Sequence, residues 1–184
     1  DLKSNFKFDI YKNFKIKNLS YSLNGSVPYL VINSDINKNV SMFLPDYNSS
    51  ISFKDIDINL INSKLKNEVI IKGFSKLKEN FDSFEINKTY DYNKKSFNIN
   101  GLIDLTNSKV KIDKLNYQKD YIKSALNFNV NFILNKTYNI KKLKFFTKKS
   151  NISLHGLKLN KNFEVINFDK IKIKTFNNKV KNND

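Results

Sequence analysis

The chain has 184 residues and a net charge of +16, from 33 basic side chains against 17 acidic ones, and it has no cysteine. That length is enough for one ordinary domain with a sizeable core. The absent cysteines exclude disulfides, thiol catalysis and cysteine-ligated metal, and 16 Phe and 9 Tyr supply more apolar area than a disordered chain carries.

The positive charge by itself points to an anionic partner. Yet every basic residue is lysine, Asn and Ile are also abundant, and Ala125 is the one alanine. Lys, Asn and Ile are the residues of A- and T-rich codons, so compositional drift accounts for much of the excess. The guanidinium fork that reads phosphate and guanine is missing. Nucleic acid is therefore not expected as a partner.

From the N-terminus, Phe6, Phe8 and Ile10 alternate with polar residues, and so do Leu19, Tyr21 and Leu23. Period-two alternation predicts half-buried strands. Asn24-Gly25 predicts a hairpin turn, and Pro28 a strand start or edge. Val40, Met42 and Leu44 alternate before a loop at Pro45-Asp46. Segment 74–84 has room for a helical turn. After a loop at Asn93 to Ser96, Phe97, Ile99, Gly101, Ile103 and Leu105 alternate. Leu115 to Leu126 is the best helix candidate. The clearest strand is Leu126, Phe128, Val130, Phe132 and Leu134, with Asn127, Asn129 and Asn131 between them. Burial is expected to alternate there, with the asparagines toward solvent. Phe128, Val130 and Phe132 should share a face with Phe97, Ile99 and Ile103. Ile152 and Leu154 alternate in turn.

A repeat runs through this pattern. Its form is a hydrophobic residue, two polar residues, Leu, Ile or Phe, one polar residue, then a hydrophobic residue. Copies begin at Ile16, Phe53, Phe81, Ile112, Ile140 and Phe168. The later copies are spaced by about 28 residues, which fits two strands and two connections. Each copy contains a one-residue phase slip, which demands a β-bulge or a change of face. The expected fold is all-β: antiparallel hairpin repeats of about 28 residues forming an extended, curved, half-pipe-like sheet, with every hairpin bent at the same height. Residues 1–176 read as a single repetitive β domain cut from a longer protein, and residues 177–184 as a polar, frayed tail.

Catalytic chemistry is not expected. His155 is the lone histidine, so a typical zinc site cannot be assembled. Carboxylates are scattered among lysines as solvated pairs, and neither a nucleophile elbow nor a phosphate loop is present. No cofactor and no metal are expected. No apolar run approaches the ~20 residues of a membrane-spanning helix, so a membrane anchor is expected outside this segment.

The tripeptide Leu/Ile-x-Gly recurs as Leu23-Asn24-Gly25, Ile71-Lys72-Gly73, Ile99-Asn100-Gly101 and Leu154-His155-Gly156. With the repeated hairpins and the Phe/Ile faces, it resembles the AsmA-like envelope protein family, whose YhdP- and TamB-like members are repeating β-groove proteins. The likeness covers most of residues 50–176. It implies a segment of a periplasmic lipid-transfer groove that carries phospholipid acyl chains between the inner and outer membranes of a Gram-negative bacterium, anchored to the inner membrane. Phospholipid is then the expected partner. The groove lining would be Phe97, Ile99, Ile103, Leu105, Leu126, Phe128, Val130, Phe132, Leu134, Ile152 and Leu154. The alternative is a structural or interaction β-repeat protein, such as an adhesin stalk or solenoid, with no lipid cargo.

Overall fold

The computed structural model describes residues 1–33, 38–133, 136–177 and 180–182. Its first half contains β1 (Leu2–Ile10), β2 (Ile16–Asn33), a short helix α1 (Lys38–Phe43), β3 (Ser50–Asn62), β4 (Lys66–Lys76), β5 (Asp82–Asp91) and β6 (Ser96–Asp104). Then come β7 (Val110–Ile112), a 3-10 turn (Asp113–Leu115), β8 (Tyr117–Lys119), β9 (Ser124–Ile133), β10 (Thr137–Thr147) and β11 (Asn151–Leu159). The chain closes with β12 (Val165–Asn167), β13 (Lys170–Asn177) and β14 (Val180–Asn182).

The strands form one antiparallel sheet in the order β1-β2-β3-β4-β5-β6-β9-β10-β11-β13-β14, with β12 beside β11 and the pair β7–β8 separate. The sheet is curved and does not close. Sequential order is what short connections favour, because neighbours in sequence pair at the least entropic cost.

The phase slips in the repeat become irregularities in the strands. In β3, register shifts between Lys54 and Asp57, where Asp55 has a φ of 49°. In β10 it shifts between Ile140 and Lys142. In the first copy, the ladder of β1 and β2 shifts beside Asn18, whose φ is 52°. The copy at Phe168 spans the break between β12 and β13, and the copy at Ile112 becomes the 3-10 turn. Two glycines make room for these features. A Cβ on Gly73 would lie 3.0 Å from the Asp55 carbonyl oxygen, against the bulge. Gly156 has a φ of 65°, and the Asp169 carboxylate occupies the place its Cβ would take.

Other expectations need correction. The bends do not share one height. The copies at Phe53 and Phe81 lie on strands running one way, those at Ile140 and Phe168 on strands running the other. The cause is the excursion after Asp104, where β7 and β8 leave the sheet and shift the later copies to oppositely directed strands. Asn24-Gly25 is no turn, since both lie inside the 18-residue β2. Pro28 lies where β2 has run past the end of β1, so one side of β2 is free there, as proline requires. The helix expected over Leu115 to Leu126 is instead the end of the 3-10 turn, β8 and the start of β9. Phe74 to Lys76 ends β4, and no helix follows before β5. In the segment expected as a tail, Asn177 and Val180 to Lys181 and Asn182 pair in a β13–β14 hairpin.

Candidate functional site

In an antiparallel ladder, residues directly opposite one another share a face. The registers therefore lay out rows across the sheet. One row runs Ile58, Ile71, Ile86, Gly101, Phe128, Leu143, Leu154 and Ile171. Its neighbour runs Leu60, Val69, Lys88, Ile99, Val130, Ile140 and Leu157. At the usual strand spacing the first row is roughly 34 Å long. Gly101 interrupts it for a reason: the Phe128 ring lies over that position, and a Cβ there would sit 2.6 Å from the ring.

A third row, at one end of the strands, is aromatic. Tyr90 and Phe97 have centroids 4.5 Å apart, Phe97 and Phe132 stack at 4.9 Å, Phe132 and Tyr138 at 5.5 Å, and Tyr138 meets Phe163 at 4.6 Å. These spacings match the distance between strands, so each ring packs against its neighbour across the sheet. Phe97, Phe132 and Tyr138 stack face to face, and Phe163, largely exposed, ends the row. What remains is an apolar rim, a poor platform for stacked bases.

A plug covers the other end of the same face. Val110 of β7, Tyr117 of β8 and Phe145 of β10 form a buried cluster, with Leu44, Leu105, Ile112, Leu115, Leu126 and Ile152 packed against it. Polar bonds tie the plug down. Asp82 accepts from the Asn107 backbone N–H at 3.0 Å, the Asn107 side-chain amide at 2.9 Å and the Ser108 hydroxyl at 3.3 Å. Asp46 accepts from the Lys109 N–H at 2.9 Å. Lys119, only 3% exposed, donates its ammonium to the Leu105 carbonyl and, at 3.5 Å, to that of Ile122. Burial pushes the Lys119 ammonium down to about 8, against the upward pull of Asp82, Asp104, Asp120 and Asp46. Burial likewise raises the Asp82 carboxyl, opposed by its bonds from Asn107 and Ser108. It raises the Tyr117 phenol as well.

The residues expected to line a groove are brought together on one face. Phe97, Ile99, Ile103, Leu126, Phe128, Val130, Phe132, Ile152 and Leu154 share it by register. They divide between two settings. Leu105, Leu126 and Ile152 belong to the plug cluster, whereas Ile99, Phe128, Val130 and Leu154 lie in the rows beyond it. Leu134 lies outside the described residues. Missed from the sequence were Ile58, Val69, Ile71, Ile86, Tyr90, Tyr138, Ile140, Leu143 and Leu157. Their alternation is legible in Val69-x-Ile71 and Ile86-x-Lys88-x-Tyr90, but Lys88 breaks the apolar pattern.

Burial does not alternate along 126–133 as expected. Side chains on both faces are half-buried. On the second face, register sets short amides opposite one another, and the side-chain oxygens of Asn98, Asn129 and Asn139 are buried without a hydrogen-bond partner among the described residues. Asn98 pairs with Asn131, Asn100 with Asn129, and Asn131 with Asn139, while the Asn59 amide donates to Asn24 at 2.6 Å. This face also holds a hollow of about 820 Å³ floored by Phe74, Leu102 and Phe146, with Asp57, Glu85, Asp104, Lys72 and Lys123 around it. Its residues come from several strands, so nothing in the linear sequence marked it.

Among the described residues, no helix is long and apolar enough to cross a membrane, and no group of His, Cys, Asp and Glu is arranged to hold a metal ion. Compared with protein-family models, curated proteins and solved structures, the chain matches none of them.

Proposed function

We propose that this chain is a segment of a lipid-transfer surface of the AsmA-like kind, working in the periplasm of a Gram-negative bacterium and anchored to the inner membrane outside this segment. Its apolar face carries phospholipid acyl chains between the inner and outer membranes. The observation that carries this reading is the pair of apolar rows crossing from β3 to β11, over which no second layer is laid among the described residues. A sheet face of that size ordinarily buries itself against another layer, and a large apolar patch left open marks a binding surface. Acyl chains fit because they need no directional partners. The aromatic rim gives them an apolar edge to pass.

The test is a photo-crosslinking amino acid at position 132, activated in cells, with mass spectrometry of the adduct. Phospholipid adducts are expected. With the crosslinker kept at position 132, Val130→Asp beside it on the same face is expected to abolish them, because an unpaired charge in an apolar lining carries a large desolvation penalty. Adducts with protein alone would overturn the reading and favour a structural or interaction protein.

A further inference from the structure

Lys88 is the one charged side chain in the two apolar rows, in the aromatic row and in the row Phe84, Ile103, Leu126, Phe145 and Ile152 under the plug, among the described residues. In a chain with 33 lysines that is a conspicuous placement. Register fixes it: Lys88 stands between Val69 and Ile99, opposite both. Its ammonium is 3.2 Å from the Asn67 side-chain oxygen and 5.4 Å from the centre of the Phe97 ring. No carboxylate among the described residues forms an ion pair with it. The groups around it extend a polar corner at the β3–β5 end of an otherwise aromatic rim. The Asn67 amide donates to Asn62 at 3.5 Å, and the Tyr92 hydroxyl donates to the same Asn62 oxygen at 2.6 Å. With the Tyr92 hydroxyl and the Asn67 amide turned to Asn62, what the corner offers at the head of the apolar rows is the Lys88 cation. A half-buried cation with no counter-charge is expensive unless an anion completes it.

We infer that Lys88, with Asn67 and Tyr92 beside it, is a head-group site that holds an anionic amphiphile, its phosphate or carboxylate against the Lys88 ammonium and its tail along the Ile99–Val130–Ile140 row. This inference rests on the acyl-carrying reading of the same face, and it adds the charge of the cargo and a fixed place for its head. An ammonium bond to an anionic head in a partly desolvated site strengthens binding by a factor of roughly ten or more.

The experiment is calorimetric titration of the full chain at low salt with two single-chain probes of equal tail, dodecyl phosphate and the uncharged dodecyl maltoside, both below micelle formation. Dodecyl phosphate is expected to bind about tenfold more tightly. Lys88→Met should remove that preference and leave dodecyl maltoside binding unchanged, and Lys88→Arg should restore it. Lys158→Met takes one charge from the opposite face and should leave the preference intact. If Lys88→Met keeps the preference, or if Lys158→Met loses it equally, the head is drawn by the overall charge of the chain and the inference is overturned. If neither probe binds the unaltered chain, the acyl-carrying reading itself falls, and the head-group site falls with it.

Discussion

Lys119 shows how one residue can set the pH response of the fold. It was unremarkable in the sequence, one lysine among many, and only the plug buries it. An ordinary lysine releases its proton near 10.5, and this one releases it at about 8. Between those values the unfolded chain holds a proton that the folded chain has lost, so this group makes stability rise with pH across that window. Tyr117 acts the other way above pH 10, because its raised phenol keeps a proton in the folded state after the unfolded state has lost it. The clean interval is therefore pH 8 to 10. Denaturant unfolding there should show a gain of about 2 kcal/mol in the natural chain that Lys119→Met lacks. Equal slopes for the two would mean that the ammonium is solvated. Asp82 has the opposite profile to an ordinary paired carboxylate. Its raised pKa makes the folded chain bind a proton the unfolded chain has released, so it lowers stability as pH rises from about 4 through its folded value.

Among the elements, the plug is the one the sequence misled about most. Leu115 to Leu126 has apolar residues at spacings a helix would use, but Asn116 takes a left-handed φ of 44° at the end of the 3-10 turn, and β8 turns back against β7. A short apolar segment does not announce its own period. What decides is the surface available to it, here the row Leu126, Phe145 and Ile152. The Tyr117 and Phe145 rings meet edge to face at 5.9 Å. Phe145→Ala should lower stability by about 3 to 5 kcal/mol and loosen residues 105–123 from the sheet. Limited proteolysis reads the second effect directly: new cleavage within that segment is expected, and a stability loss without it would mean the plug is held by Asp82 and Asp46 instead. The bulges were more legible. A motif stepping three residues and then two cannot stay in one strand phase, and register shifts follow in β3 and β10. Which residue absorbs the slip was not legible, because that depends on the partner strand, as Gly73 opposite Asp55 shows.

At the scale of the whole molecule, β1 and β14 are the outer strands of the described sheet. On β1, Leu2, Phe6 and Ile10 are largely exposed, with Phe6 at 65%. A nine-residue edge strand without proline or glycine is a template for pairing with another chain. Lys3 and Lys7 blunt it, and the net charge of +16 opposes close approach of two copies at low salt. Self-association is therefore expected to grow with ionic strength, and Phe6→Lys should suppress it in sedimentation velocity experiments. Association that weakens as salt is added would point to ionic contacts instead.

All-β character, one apolar face from Phe97 to Ile103 and Leu126 to Phe132, and a phase slip in each repeat copy were set by the sequence alone; the slip becomes a register shift in β3 and β10, whereas β5, with the copy at Phe81, keeps an unbroken register. These are local properties: a two-residue period and a phase slip depend on neighbours along the chain. Tertiary structure decided the rest. It decided which end of the apolar face is covered, because the plug draws Leu44, Val110, Tyr117 and Phe145 from four separate segments. It decided that the asparagine face is half-buried, because the cover on a short amide comes from adjacent strands. It decided that Lys88 stands alone among apolar side chains while Lys119 is buried, since whether a lysine meets water or a wall depends on residues far from it in the chain.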